Sequence, residues 1–168
     1  MKITSFGLFW REDEIEWEPG QGRRNEFRLL GRIGANTGTL RVCDFRHQSG
    51  IYVLYDDYGP TYVGLTRALG LGQRLKNHTS DRHAGKWDRF SWFGFKDISE
   101  STNEAGMNFL EAGKDRVKSS QYTTIGDLEA LLIAAMGTRS NRARMKFSDA
   151  ECWTQIAYDE CETYLGRL

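Results

Sequence analysis

Residues 49–78 read SGIYVLYDDYGPTYVGLTRALGLGQRLKNH, and the fold turns on this stretch. From Gly50 to Tyr55 the chain is a β-branched and aromatic run. Asp56-Asp57-Tyr58-Gly59-Pro60 breaks that run and Thr61-Tyr62-Val63 resumes it, which is the pattern of a hairpin. Tyr52 and Tyr62 therefore lie on paired strands. The residues that follow, up to His78, read as a basic helix. Arg74 and His78 stand four positions apart, and side chains at that spacing leave the same helix face, so a guanidinium and an imidazole can both reach one phosphate.

A second helix is legible at Leu128 to Met136, LEALLIAAM, where Glu129 is the one polar side chain. A helix that is apolar all round is normally buried. An ionised carboxylate buried without a partner is strongly disfavoured, so Glu129 must be paired with an arginine, protonated or bound to a cation. Thr124 with Asp127 reads as a capping box that starts this helix and Gly137 as its stop, which puts Glu129 in the first turns.

The triplets Gly50-Ile51-Tyr52 and Tyr62-Val63-Gly64, with nine residues between them, resemble the signature of the GIY-YIG nuclease superfamily, with Val in place of the second Ile. After the second triplet the family carries an Arg followed four residues later by Tyr or His, and Arg74 and His78 match. It then carries a Glu on a second helix and an Asn twelve positions on, and Glu129 and Asn141 match that interval. The resemblance covers residues 49–147. It implies an α+β fold with a small antiparallel or mixed central sheet flanked by helices, and a metal-dependent endonuclease that hydrolyses phosphodiester bonds in DNA.

The resemblance also implies roles. Glu129 would hold a single divalent ion, Mg²⁺ or Mn²⁺, whose Lewis acidity stabilises the departing oxygen and the phosphate charge. Arg74 would clamp the phosphate, since guanidinium geometry matches phosphate bidentately. Tyr52 or Tyr62 would take the proton from water, after neighbouring cations lower a phenol pKa of about 10. His78 would orient or deprotonate the tyrosine, or bond the scissile phosphate, and Asn141 would hold the backbone arrangement or the phosphate. Leu65 stands where repair-type members carry Lys, the Gly64 to Arg74 interval is long, and a helical His belongs to restriction-type members. Those departures point to a restriction-like or defence-associated enzyme. The alternative is a non-catalytic nucleic-acid-binding module on the same scaffold.

A formal net charge of zero conceals segregation along the chain. Arg139, Arg142, Arg144 and Lys146 have no acid among them, and Arg67 to Arg89 holds six basic residues against Asp81 and Asp88. Both runs flank the motif, which favours a phosphate-binding groove, with Arg67, Lys76, Arg139, Arg142, Arg144 and Lys146 as nucleic-acid contacts. Duplex DNA is the expected partner and a homodimer the expected way to cut two strands. Cys43, Cys152 and Cys161 lack metal-ligand spacing, which suits a reducing cytosol. No apolar run approaches the ~18 residues of a membrane span, and the amino-terminal stretch is no signal peptide, so the expected location is cytoplasmic. His47 and His83 read as ordinary surface or core side chains.

The 168 residues divide by pattern into three parts. Residues 1–48 carry strand-like runs at Ile3 to Trp10, Phe27 to Ile33 and Thr39 to Phe45, read as a small antiparallel sheet that extends the nuclease sheet, contacts DNA or mediates dimerisation. Residues 49–147 carry the motif, a central aromatic strand at Trp87 to Phe95, and a polar insertion from Asp97 to Tyr122 with a short helix near Asn108 to Ala112. Residues 148–168 read as one amphipathic helix, opened by a Ser148/Glu151 capping box, with Trp153, Ile156, Ala157, Cys161, Tyr164 and Leu165 on one face.

Overall fold

A computed structural model of the chain describes residues 3–19, 26–66, 69–111, 121–137 and 146–168, with positions 121, 122 and 125 as backbone only. The strands are β1 (Ser5–Arg11), β2 (Leu30–Ile33), β3 (Arg41–Asp44), β4 (Gly50–Asp56), β5 (Gly59–Leu65), β6 (Arg89–Gly94), β7 (Ile98–Thr102), β8 (Asn108–Leu110), β9 (Glu151–Cys152) and β10 (Thr154–Gln155). The helices are α1 (Gly70–His78), α2 (Gln121–Met136) and α3 (Cys161–Leu165). The fold is α+β, with two mixed five-stranded sheets in the orders β5-β4-β6-β1-β9 and β10-β2-β3-β8-β7.

The hairpin is present as read. Tyr52 pairs with Gly64 and Leu54 with Tyr62 across β4 and β5, and the aromatic strand β6 occupies the centre of the first sheet. Side chains alternate across a strand, and β4 shows what that alternation separates. Tyr52 and Leu54 enter a core with Leu71 and Leu75 of α1 and with Trp10, Phe45, Trp92 and Trp153. Val53 and Tyr55 enter a different core with Ala130, Leu131, Ala134 and Ala135 of α2. The two long helices therefore cover opposite faces of the first sheet. The second sheet shares the α1 face through Leu29, Cys43 and Phe45.

Four expectations need correction. The amino-terminal strands do not form a sheet of their own, since β1 joins β6 in the first sheet while β2 and β3 build the second. β1 thus extends the sheet that carries the β4–β5 hairpin. The polar segment after β6 forms β7 and β8, with no helix near Asn108, because β8 pairs in parallel with β3 at Cys43 and its Asn108 amide donates to the Ser99 carbonyl. α2 begins at Gln121, so Thr124 and Asp127 lie inside it. Asp127 instead accepts bonds from the Ser148 backbone N–H at 2.8 Å and its hydroxyl at 3.2 Å. Gly137 does end the helix, in a left-handed conformation with φ 60°, as its lack of a Cβ permits.

The fourth correction concerns residues 148–168, which are not one helix. Glu151–Cys152 pairs in parallel with β1, Thr154–Gln155 pairs with β2 in the other sheet, and only Cys161–Leu165 is α-helical. The apolar spacing that suggested a helix face serves two cores. Trp153 packs between the sheets, with its ring centroid 5.1 Å from Phe45 and its carbonyl accepting from Trp10 Nε1 at 3.1 Å. Ile156 and Tyr164 instead cover Leu30 and Val42. A periodicity argument assigns residues to one face and cannot register that they feed separate cores.

Trp153 is 1 % exposed, and its indole N–H has no hydrogen-bond partner among the described residues. Trp153→Ala should lower urea-unfolding stability by about 3–5 kcal/mol. Trp153→Phe, which keeps a ring and discards the orphaned donor, should lose less than half of that.

Candidate functional site

Both glycines of the paired triplets are there because nothing larger fits. A Cβ on Gly50 would lie 1.9 Å from the Phe93 carbonyl oxygen, and one on Gly64 would lie 2.2 Å from the Tyr52 ring. The Tyr52 phenol is laid across the bare backbone of Gly64 and is 0 % exposed. The start of α1 is pinned to the turn before β4, where Leu71 and Gly72 donate backbone N–H bonds to the carbonyls of Gln48 and Arg46. Those bonds satisfy donors that the first helical turn leaves open, and they fix how α1 lies over β4.

The result is a side-chain cluster. Tyr52 Oη and His78 Nε2 are 2.7 Å apart, and His78 Nδ1 and Asp81 Oδ2 are 2.8 Å apart. A carboxylate offers no proton, so Nδ1 carries the imidazole hydrogen and Nε2 accepts from the Tyr52 hydroxyl. Asp81 is itself held, since its Oδ1 accepts the His83 backbone N–H at 2.8 Å. The half-exposed Tyr62 ring lies 6.1 Å from Tyr52, 5.2 Å from His78 and 4.5 Å from His83. Arg74 sits beside both phenols, and its buried Nε has no hydrogen-bond partner among the described residues.

Electrostatics follow from this arrangement. Burial pushes the Tyr52 phenol up to about 12, against the pull of the Arg74 guanidinium, which favours the phenolate. The same pairing raises Arg74, with Tyr52 as the larger cause. His78 lies below its ordinary value because burial disfavours the imidazolium more than Asp81 favours it. Asp81 lies below the usual carboxylate range, since the His83 N–H and His78 outweigh its desolvation. Burial thus favours the neutral form of the imidazole and of the phenol bonded to it.

The sequence-derived site is assembled in part. Tyr52, Tyr62, Arg74 and His78 are brought together. Asn141, Arg67, Arg139, Arg142 and Arg144 lie outside the described residues. Lys146 is exposed. Lys76 is tied down, with its ammonium 2.8 Å from the Trp17 carbonyl, 3.0 Å from Glu18 and over the Phe27 ring. The expected sequestration of Glu129 does not hold. α2 buries the stripe Asp127, Ala130, Leu131, Ala134 and Ala135 and turns Leu128, Glu129, Leu132 and Met136 to solvent, so the carboxylate has water and the argument from burial lapses. α2 also covers the sheet face opposite Tyr52.

Two members of the cluster escaped the sequence reading, Asp81 and His83. The signal was present, because His78-x-x-Asp81-x-His83 at the end of a helix gathers three ligand-capable side chains in six residues. Reading His83 as a lone histidine hid it. No protein-family model, no curated protein and no solved structure matches the chain.

Gly64→Ala should cost about 1–3 kcal/mol in chemical unfolding, by driving a methyl into the Tyr52 ring. In a Tyr52→Ala background the same substitution should cost nothing, because the methyl enters vacated space; additive penalties in this double-mutant cycle would contradict the contact.

Proposed function

We propose that the chain is an endonuclease that hydrolyses phosphodiester bonds in DNA, with a site built on Tyr52, His78 and Arg74. The observation that supports it most is the continuous hydrogen-bonded chain Tyr52–His78–Asp81 beside an arginine. Hydrolysis of a phosphodiester needs a base for the attacking water and positive charge for the phosphate. His78 Nε2 receives the Tyr52 proton as the phenol oxygen takes one from water, and Asp81 holds the imidazole in the tautomer that can do so. Arg74 binds the phosphate bidentately after its guanidinium leaves the two phenols that it sits beside. Because Tyr52 is closed off in the free chain, the phosphate must draw Arg74 away before water meets the phenol. Tyr62, half-exposed at the mouth of the cluster, orients the incoming group.

The ion implied by the sequence resemblance falls to Glu129. Mg²⁺ is held by one or two carboxylates together with substrate phosphate, and Glu129 offers one water-facing carboxylate with no phosphate site beside it among the described residues. On α2, across the sheet from Arg74 and Tyr52, Glu129 does not fit an ion that must share the phosphate with those residues, and no step is assigned to it. Glu129 stands apart from the Tyr52 cluster, so its role rests on the resemblance and is tested separately. A restriction-like or defence-associated setting, duplex DNA as substrate and a homodimer are parts of the same proposal. The helical histidine supports the first.

Nicking of supercoiled plasmid with Mg²⁺, Mn²⁺ or EDTA tests these assignments. Tyr52→Phe and His78→Gln should each lower the rate by about 10²–10⁴, Tyr62→Phe should lower it at least tenfold less, and loss of metal-dependent nicking in Glu129→Ala would support the metal role that the resemblance gives it. Binding of DNA without cleavage by the wild type would replace the enzyme with the non-catalytic module.

A further inference from the structure

We infer that His78, Asp81 and His83 form a separate cation site for a transition metal of the Zn²⁺ and Co²⁺ class, and that its occupation switches the Tyr52 relay off. One ligand atom from each of the three residues lies within 4.8 Å of the others. Two imidazoles and a carboxylate favour zinc-like ions over Mg²⁺, which takes oxygen donors, and three protein ligands leave a fourth position for water. With metal–ligand bonds of about 2.0–2.2 Å, tetrahedral ligands sit about 3.3 Å apart. The 2.8 Å His78–Asp81 pair must therefore open slightly and the wider separations close. The side chains that have to move are the accessible ones, since Asp81 is 39 % exposed and His78 only 4 %.

The surroundings suit a bound ion. Ligating groups are normally fixed by an outer shell of hydrogen bonds, and here the His83 backbone N–H holds Asp81 while the Tyr52 hydroxyl meets the other nitrogen of His78. His83 lines an open groove with Thr61, Lys86 and Trp87, and Asp81 is exposed, so two of the three ligands are open to solvent. Among the described residues, the bond that the His83 ring must surrender is an exposed contact from Arg82 at 3.2 Å.

The effect on the relay follows from the two ring nitrogens. A metal on Nδ1 takes the place of the hydrogen shared with Asp81, and Nε2 then carries the proton. It becomes a donor to Tyr52 and accepts nothing from it. Binding stands independently of the nuclease reading; the inhibitory effect rests on that reading.

Co²⁺ titration of the full chain, followed by the visible band of four-coordinate cobalt, tests the site without any assay of activity. Wild type should bind one ion, and His83→Gln and Asp81→Asn should each weaken binding by at least about tenfold, with thermal melts confirming that both fold. Cys152→Ser, which removes an exposed thiol, should leave the band unchanged. In plasmid nicking with saturating Mg²⁺, each protein being referred to its own rate without Zn²⁺, added Zn²⁺ should stop the wild type, and at least about tenfold more ion should be needed to inhibit His83→Gln. Absence of the band, or an undiminished band in His83→Gln, overturns the site. A band with no inhibition by Zn²⁺ overturns the switch. A band in a wild type that fails to cut with Mg²⁺ or Mn²⁺ leaves the site standing and removes the nuclease reading.

Discussion

The seating of Tyr52 on Gly64 is the contact on which the rest of the site depends. A phenol laid against a residue with no side chain can be wholly buried within a two-strand ribbon, and only a glycine opposite allows it. Burial then makes the hydroxyl costly to leave unpaired, so whatever lies over the ribbon must supply a partner. α1 supplies His78 from its last turn, and Asp81 in the next loop fixes which nitrogen faces the phenol. A steric fact about a strand pair thereby becomes an electrostatic fact about a proton.

The first sheet divides the labour between its faces. On one side large aromatics from both sheets, Trp10, Phe45, Trp92 and Trp153 among them, build the wide core from which Tyr52 and α1 emerge. On the other, α2 lies close to the sheet through small residues, Ala130, Ala134 and Ala135. A helix that meets a sheet through alanines presents a narrow contact stripe, and this is why Leu128, Leu132 and Met136 can be apolar and still face water.

Local pattern made the hairpin, α1, the aromatic central strand and the stop at Gly137 legible, because turn chemistry, period and capping all act within a few residues. Tyr52, Tyr62, Arg74 and His78 were legible for the same reason. Long-range pairing was not. β7 and β8 read as a polar insertion with a short helix because β8 takes its strand character from β3 and β7 from β8, and the segment at Glu151 to Gln155 read as helix because its two short strands are defined by β1 and β2. Glu129 was misjudged from composition, since an apolar sequence all round a helix does not reveal how wide the contact stripe is. Asp81 was passed over because charge runs were weighed as averages, although its position three residues beyond His78 carried the information.

The cluster and its scaffold differ in how far along the chain they reach. Tyr52, Tyr62, Arg74, His78, Asp81 and His83 come from one contiguous stretch of hairpin, helix and loop, whereas the strand that closes the first sheet pairs Ser5 with Glu151. Contacts of small sequence separation form early and those of large separation late. The arrangement of phenol, imidazole and carboxylate is therefore an inheritance of local order, and the distant strands act as a clamp that holds it without shaping it. Variation in the second sheet can then tune the lifetime of the folded state while the proton-handling geometry stays constant.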